Sequence, residues 1–148
     1  VADLRVKHSS LRGVKVPGNL VASMIDEFPV LSVLAALAEG KTEMKEIGEL
    51  KVKESDRILS MAEGLRRCGV EVDSGEDYMI VQGIKKVRGG QLINTFNDHR
   101  IAMSFICLGQ VAQKPIKISE ITSISTSFPE FIEKFKEIGA NLSNHTNQ

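Results

Sequence analysis

Residues 50–72 read LKVKESDRILSMAEGLRRCGVEV. A short charged string, Lys53-Glu54-Ser55-Asp56-Arg57, stands where a loop turns into an amphipathic helix expected over residues 55–67. Ile58, Leu59, Met61, Ala62 and Leu65 recur at helical spacing and supply one apolar face. Gly69 stands just past the end, where a left-handed backbone closes a helix without a Cβ penalty. Val70-Glu71-Val72 then reads as a strand, residues 74–77 as a turn, and residues 78–81 as the return strand of a hairpin.

Outward from this stretch the pattern recurs. Upstream, residues 3–8 and 11–16 alternate like strands, and Pro17-Gly18 breaks the chain. A helix over residues 30–38 is apolar on nearly all sides and so belongs in a core; Asp26 is its expected N-cap, Pro29 sits in its first turn and Gly40 ends it. A strand follows over residues 41–47, with Thr42, Met44 and Ile47 as its less polar positions. Downstream, residues 91–96 read as a strand. Asn97-Asp98-His99-Arg100 then opens a second apolar helix through Ile101, Ala102, Phe105, Ile106 and Leu108 to about Gln113. Residues 115–119 read as a strand, and Ser127-Phe128-Pro129-Glu130 as a capping box whose helix runs to Ile138 and stops at Gly139. Asn141 and Leu142 begin a short strand. Buried helix, strand, amphipathic helix, glycine and strand thus occur twice. Asp98 follows Asp26 by 72 residues and Gly139 follows Gly69 by 70, which indicates an internal repeat of about 70 residues.

The composition bounds what such a chain does. Its 148 residues suffice for one domain with a hydrophobic core, and 42% hydrophobic content with few aromatics fits a packed α/β domain rather than a disordered one. Lys plus Arg equals Asp plus Glu at 19 each, so the chain lacks the basic excess expected of a nucleic-acid or anionic-membrane partner, and any anion site must be local. Cys68 and Cys107 form no C-x-x-C pair and the three histidines are scattered, which argues against a metal site or a disulfide framework and for free thiols in a reducing, cytoplasmic setting. No signal peptide is visible, and the apolar run 30–38 is too short to span a bilayer. The chain opens without Met on a strand-like pattern, as expected of a fragment, and residues 143–148 form a polar tail expected to fray.

Each charged string offers an arginine, an acid and the free N–H groups of a helix start. That combination can hold a small anion beside proton-transfer groups. Arg supplies a planar fork for carboxylate or phosphate, and Lys a point charge. Lys53 and Arg57 are four apart and share a side if one helical turn includes both. Glu54 departs from a pure anion-binding pattern. An acid beside a bound anion resists a second negative charge, which suits a general acid. Read singly, each string is equally compatible with an ordinary exposed helix start, and Asp26 and Asp98 with plain N-caps.

Taken together, residues 24–29 (MIDEFP), 50–58 (LKVKESDRI), 94–104 (NTFNDHRIAMS) and 126–129 (TSFP) resemble the 5-enolpyruvylshikimate-3-phosphate synthase family, in motif and in spacing. The resemblance spans roughly residues 6–142. It implies an α/β fold of repeated βαβαββ units with buried helices and outer sheets, of the inside-out barrel type. Only part of one domain is covered: residues 1–142 carry two repeats, about 20–90 and 91–142, before the tail. The implied reaction transfers the enolpyruvyl group of phosphoenolpyruvate to the 5-hydroxyl of shikimate 3-phosphate and releases phosphate, in the shikimate pathway. By the same resemblance Asp26 matches the base that takes the hydroxyl proton and holds the shikimate ring. Glu54 matches the proton donor and acceptor at the methylene carbon, and Lys53 a ligand of shikimate 3-phosphate. Arg57 and Arg100 match the pair gripping phosphoenolpyruvate, with His99 in support. No cofactor or metal is implied. The remaining partner is the missing N-terminal part of the same enzyme, without which the fragment is expected to be inactive.

Two positions depart from the pattern. Many members carry Asn where Glu49 stands, and that contact is not carried over. Many carry Lys where Thr126 stands; other members, glyphosate-tolerant ones among them, resemble this chain there, but Thr126 supplies no charge. Two alternatives stand beside this reading: an enzyme like UDP-N-acetylglucosamine enolpyruvyl transferase, and a non-catalytic anion-binding module on the same scaffold.

Overall fold

The computed structural model describes residues 2–144; residues 145–148 of the expected fraying tail lie outside them. Two βαβ crossovers organise the chain. In the first, the segment 11–16 runs parallel to β1 (Glu39–Lys45) through bridges at Arg12 and Lys15, with the connecting helices between. Gly13 is needed there, because a Cβ at this position would lie 2.2 Å from the Lys41 carbonyl oxygen. The connection is α1 (Gly18–Met24), a 3₁₀ turn (Ile25–Glu27) and α2 (Phe28–Leu37). A 3₁₀ helix (Gly48–Val52) leads to α3 (Arg57–Arg67), and β2 (Glu71–Ser74) and β3 (Tyr78–Ile84) form the hairpin. The sheet order is β1-β3-β2, antiparallel throughout. In the second crossover β4 (Leu92–Ile93) runs parallel to β5 (Lys117–Ile118) across α4 (His99–Gly109). Helices α5 (Ile124–Ser127) and α6 (Phe131–Glu137) close the chain.

The core forms where α2 packs between β3 and α4, with α3 alongside. Thr42, Met44 and Ile47, the less polar positions of that segment, are buried, and so are all five apolar residues named for α4. On α3, Ile58, Met61, Ala62 and Leu65 are buried but Leu59 is exposed. The four follow the i, i+3, i+4, i+7 rule, whereas Leu59 sits on the flank of that stripe. Gly69 and Gly139 both take the left-handed backbone expected of them, at φ +92° and +99°.

Several local expectations are corrected. Residues 3–8 form no strand; their backbone has no partner among the described residues, and a strand without a ladder has no reason to persist. Helix α1, which the sequence pattern did not indicate, begins at Gly18 directly after the break at Pro17. The run from Gly18 to Leu37 is therefore 20 residues long and apolar enough to cross a membrane by length and composition, although α2 spends its apolar surface on the protein core. Because the chain enters α2 from a 3₁₀ turn, Asp26 is not its N-cap; Glu27 holds that position without a side-chain cap bond. The capping box at Ser127 is absent. Ser127 instead ends α5, and the expected helix starts later, at Phe131, with Glu130 at its N-cap position and no side-chain cap bond; Phe128, before Pro129, is held out of the helical region at φ −139° and ψ 79°. The strands expected over 91–96 and 115–119 shrink to two residues each, α4 ends at Gly109 rather than near Gln113, and Asn141 and Leu142 form no strand.

Candidate active site

Asp56, not Ser55, starts α3: its carboxylate accepts the Leu59 N–H at 2.9 Å, and its carbonyl accepts the Ser60 N–H and hydroxyl. Arg57 is therefore the first helical residue, and its side chain is only 1% exposed. A guanidinium that deep must be matched by acceptors. Its Nε donates to Asp98 Oδ2 at 2.8 Å, Nη1 to Asp26 Oδ1 at 3.0 Å and Nη2 to Glu54 Oε2 at 2.5 Å. Burial works against the Arg57 charge, but Asp98, Glu54 and Asp26 outweigh it and raise the pKa.

Asp98 is fully buried and serves two elements at once. As N-cap of α4 it accepts the Arg100 N–H at 2.9 Å and the Ile101 N–H at 3.4 Å. It also accepts the Ser55 hydroxyl at 3.0 Å and Arg57. Burial pushes its carboxyl up, yet Arg57, Ser55 and the Arg100 N–H hold it below its ordinary value. The preceding turn is strained: Phe96 and Asn97 both occupy the left-handed region, at φ +52° and +57°. The buried Thr95 anchors that turn, donating its hydroxyl to the Glu120 carbonyl at 3.0 Å and accepting the Asp98 N–H on its own carbonyl at 2.9 Å.

Around this pair lie more accessible groups. The side chains of Asp26 and Glu54 are 47% and 50% exposed. Lys53 Nζ donates to Glu49 at 2.6 Å and stands 3.8 Å from Asp26. Arg100 Nη1 donates to the Asp26 carbonyl at 2.6 Å and to Glu27 at 2.9 Å. Among the described residues, no hydrogen bond ties His99 or Thr126 to this cluster; Thr126 bonds the Ser123 carbonyl within its own helix turn. Nor does any group of three or more His, Cys, Asp and Glu among the described residues suit a metal ion. Both cysteines are free, and burial raises the thiol pKa of each.

Asp26, Lys53, Glu54, Arg57 and Arg100 are thus brought together. Two features of the expected arrangement are revised. The helix starts are partly occupied, because Asp56 takes the Leu59 N–H and Asp98 the Arg100 and Ile101 N–H groups. Lys53 precedes α3, so it does not share a helical face with Arg57. Sequence reasoning missed Ser55, Glu27 and the second role of Asp98. The cap was legible, but a partner 41 residues away was not.

A model of the family described as EPSP synthase (3-phosphoshikimate 1-carboxyvinyltransferase) matches residues 1–135. The chain belongs to the EPSP synthase family. A 3-phosphoshikimate 1-carboxyvinyltransferase of Cereibacter sphaeroides is 52% identical over 96% of this chain and 32% of its own length. One of Phenylobacterium zucineum is 51% identical over the same shares. A solved EPSP synthase from Acinetobacter baumannii superposes with a TM-score of 0.84 at 40% identity, over 89% of this chain and 31% of that one. The chain therefore spans about a third of the length of the EPSP synthases it matches, and it has their mixed α/β fold as a partial domain.

Proposed function

We propose that this chain is the C-terminal third of an enzyme that transfers the enolpyruvyl group of phosphoenolpyruvate to the 5-hydroxyl of shikimate 3-phosphate. The observation that carries the reading is the Arg57 guanidinium, which holds Asp26 and Glu54 on its two terminal nitrogens at 3.0 and 2.5 Å. A base and a proton donor so fixed, both half exposed, match the two proton transfers the reaction requires. Asp26 takes the proton of the attacking hydroxyl, while Glu54 protonates the methylene carbon as the new C–O bond forms at its neighbour. Loss of phosphate from the tetrahedral adduct, with Glu54 recovering the proton, restores the enol ether. Lys53, beside Asp26, binds shikimate 3-phosphate. Arg57 and Arg100 hold phosphoenolpyruvate, with His99 in support.

The charge of the cluster explains why the chain needs the rest of the enzyme. Lys53, Arg57 and Arg100 face Asp26, Glu27, Glu49, Glu54 and Asp98, three cations against five carboxylates. Two anionic substrates require further cations, supplied in this proposal by the N-terminal part. The chain then contributes one wall of a cleft, from two repeats at about 20–90 and 91–142, in a cytoplasmic enzyme. The succession of buried helix, strand, helix and left-handed glycine in α2-β1-α3-Gly69 and α4-β5-α6-Gly139 supports that division.

In the full-length enzyme, Glu54→Gln and Asp26→Asn are each expected to lower kcat at least ~100-fold, the scale of a lost general acid or base. Steady-state assay with both substrates measures this. Near-normal turnover in both variants overturns the roles assigned to Asp26 and Glu54.

A further inference from the structure

We infer that Asp98 is a positioning residue for the phosphoenolpyruvate grip, holding the Arg57 guanidinium by its inner edge so that the outer fork faces the reacting groups. The inference rests on the function proposed above. Asp98 is the buried carboxylate on which both charged strings converge: Arg57 and Ser55 come from one, and the Arg100 and Ile101 N–H groups from the other. Its Oδ2 takes Nε at 2.8 Å, while Oδ1 lies 3.4 Å from Nη2. That side-on grip fixes the plane of the guanidinium and leaves Nη1 and Nη2 directed at the half-exposed Asp26 and Glu54. A substrate anion exchanging with those carboxylates meets an arginine already oriented, and a grip loose by about an ångström loses up to ~100-fold in rate. The left-handed pair Phe96-Asn97 is the second observation. Backbone strain is retained immediately before the residue that does the holding, and buried Thr95 locks the turn in place.

A plain helix cap and a positioning residue respond differently to Asp98→Asn. Asn caps a helix as well as Asp, but it brings no charge to Nε and an amide in place of one acceptor. In the full-length enzyme D98N is expected to raise KM for phosphoenolpyruvate at least ~10-fold. KM for shikimate 3-phosphate should stay within about threefold, as expected when only one substrate's binding is lost. Ser55→Ala removes one hydrogen bond to the same carboxylate and is expected to raise KM for phosphoenolpyruvate ~3-fold. A folded D98N enzyme with unchanged KM for phosphoenolpyruvate overturns the inference. If D98N does not fold, S55A decides: an unchanged KM overturns the inference and the rise supports it. Where Glu54→Gln abolishes turnover while D98N and S55A behave as the parent, only this inference is lost. Where Glu54→Gln and Asp26→Asn leave turnover intact, the proton-transfer roles fail, and the phosphoenolpyruvate KM of D98N and S55A still decides this inference.

Discussion

At the scale of single residues, Asp98 and Arg57 carry more than either string promised. Removing the carboxylate entirely, as in Asp98→Ala, costs about 1 kcal/mol for the lost cap but about 3–5 kcal/mol for a buried charge stripped of its partner. The ion pair, not the cap, therefore dominates. The native pKa of Asp98 lies below its ordinary value, so the folded state binds fewer protons than the unfolded chain as pH falls. Its stabilisation is complete above about pH 4 and is lost as pH falls through the lowered native pKa. Urea midpoints measured against pH should show a shallower acid limb in Asp98→Asn than in the parent, with no change of slope near neutrality. Parallel acid limbs would show that the pair has no linkage to folding. Asp98 also shows what one sequence conceals. Its cap follows from its place before an apolar helix, but its partner depends on where α3 docks.

Elements were legible wherever one face had to be apolar. The stripes of α3 and α4 and the inward positions of β1 follow from spacing. What failed depended on neighbours. Residues 3–8 alternate correctly yet pair with nothing among the described residues, and the helix expected to open at Ser127 starts only at Phe131. Helix contacts are tighter than pattern alone implies. A Cβ at Gly64 on α3 would lie 2.2 Å from Phe105 Cζ on α4. Ala is favoured over Gly within a helix by about 1 kcal/mol, whereas overpacking a core costs about 1–3 kcal/mol. Gly64→Ala should therefore destabilise, with the clash outweighing the propensity gain, and adding Phe105→Leu should recover part of the loss. Chemical denaturation of the two variants tests this; a stabilised single variant would mean that α3 and α4 separate easily.

For the whole molecule, the decisive quantity is the charge of the cluster, with carboxylates in excess by two. The isolated chain is expected to show no synthase turnover and only weak phosphoenolpyruvate binding that declines with salt, as read by calorimetry at two ionic strengths. Robust turnover from these residues alone would contradict the proposed division of the site. Leu4, Val6, Val52, Val111 and Ile138 are exposed, so concentration-dependent self-association should appear in sedimentation, and a strict monomer at every concentration would show that these side chains drive no contact. By itself the sequence determined the family, the alternation of helix and strand, the buried stripes and the charged residue types that the two strings gather, because motifs and periodicity are local. Only the tertiary structure decided that Arg57 is buried, that Asp98 joins the two strings and that Asp26 faces an arginine rather than capping a helix. Those facts depend on the docking of α2, α3 and α4, where a charge removed from water must find its partner wherever the packing puts one.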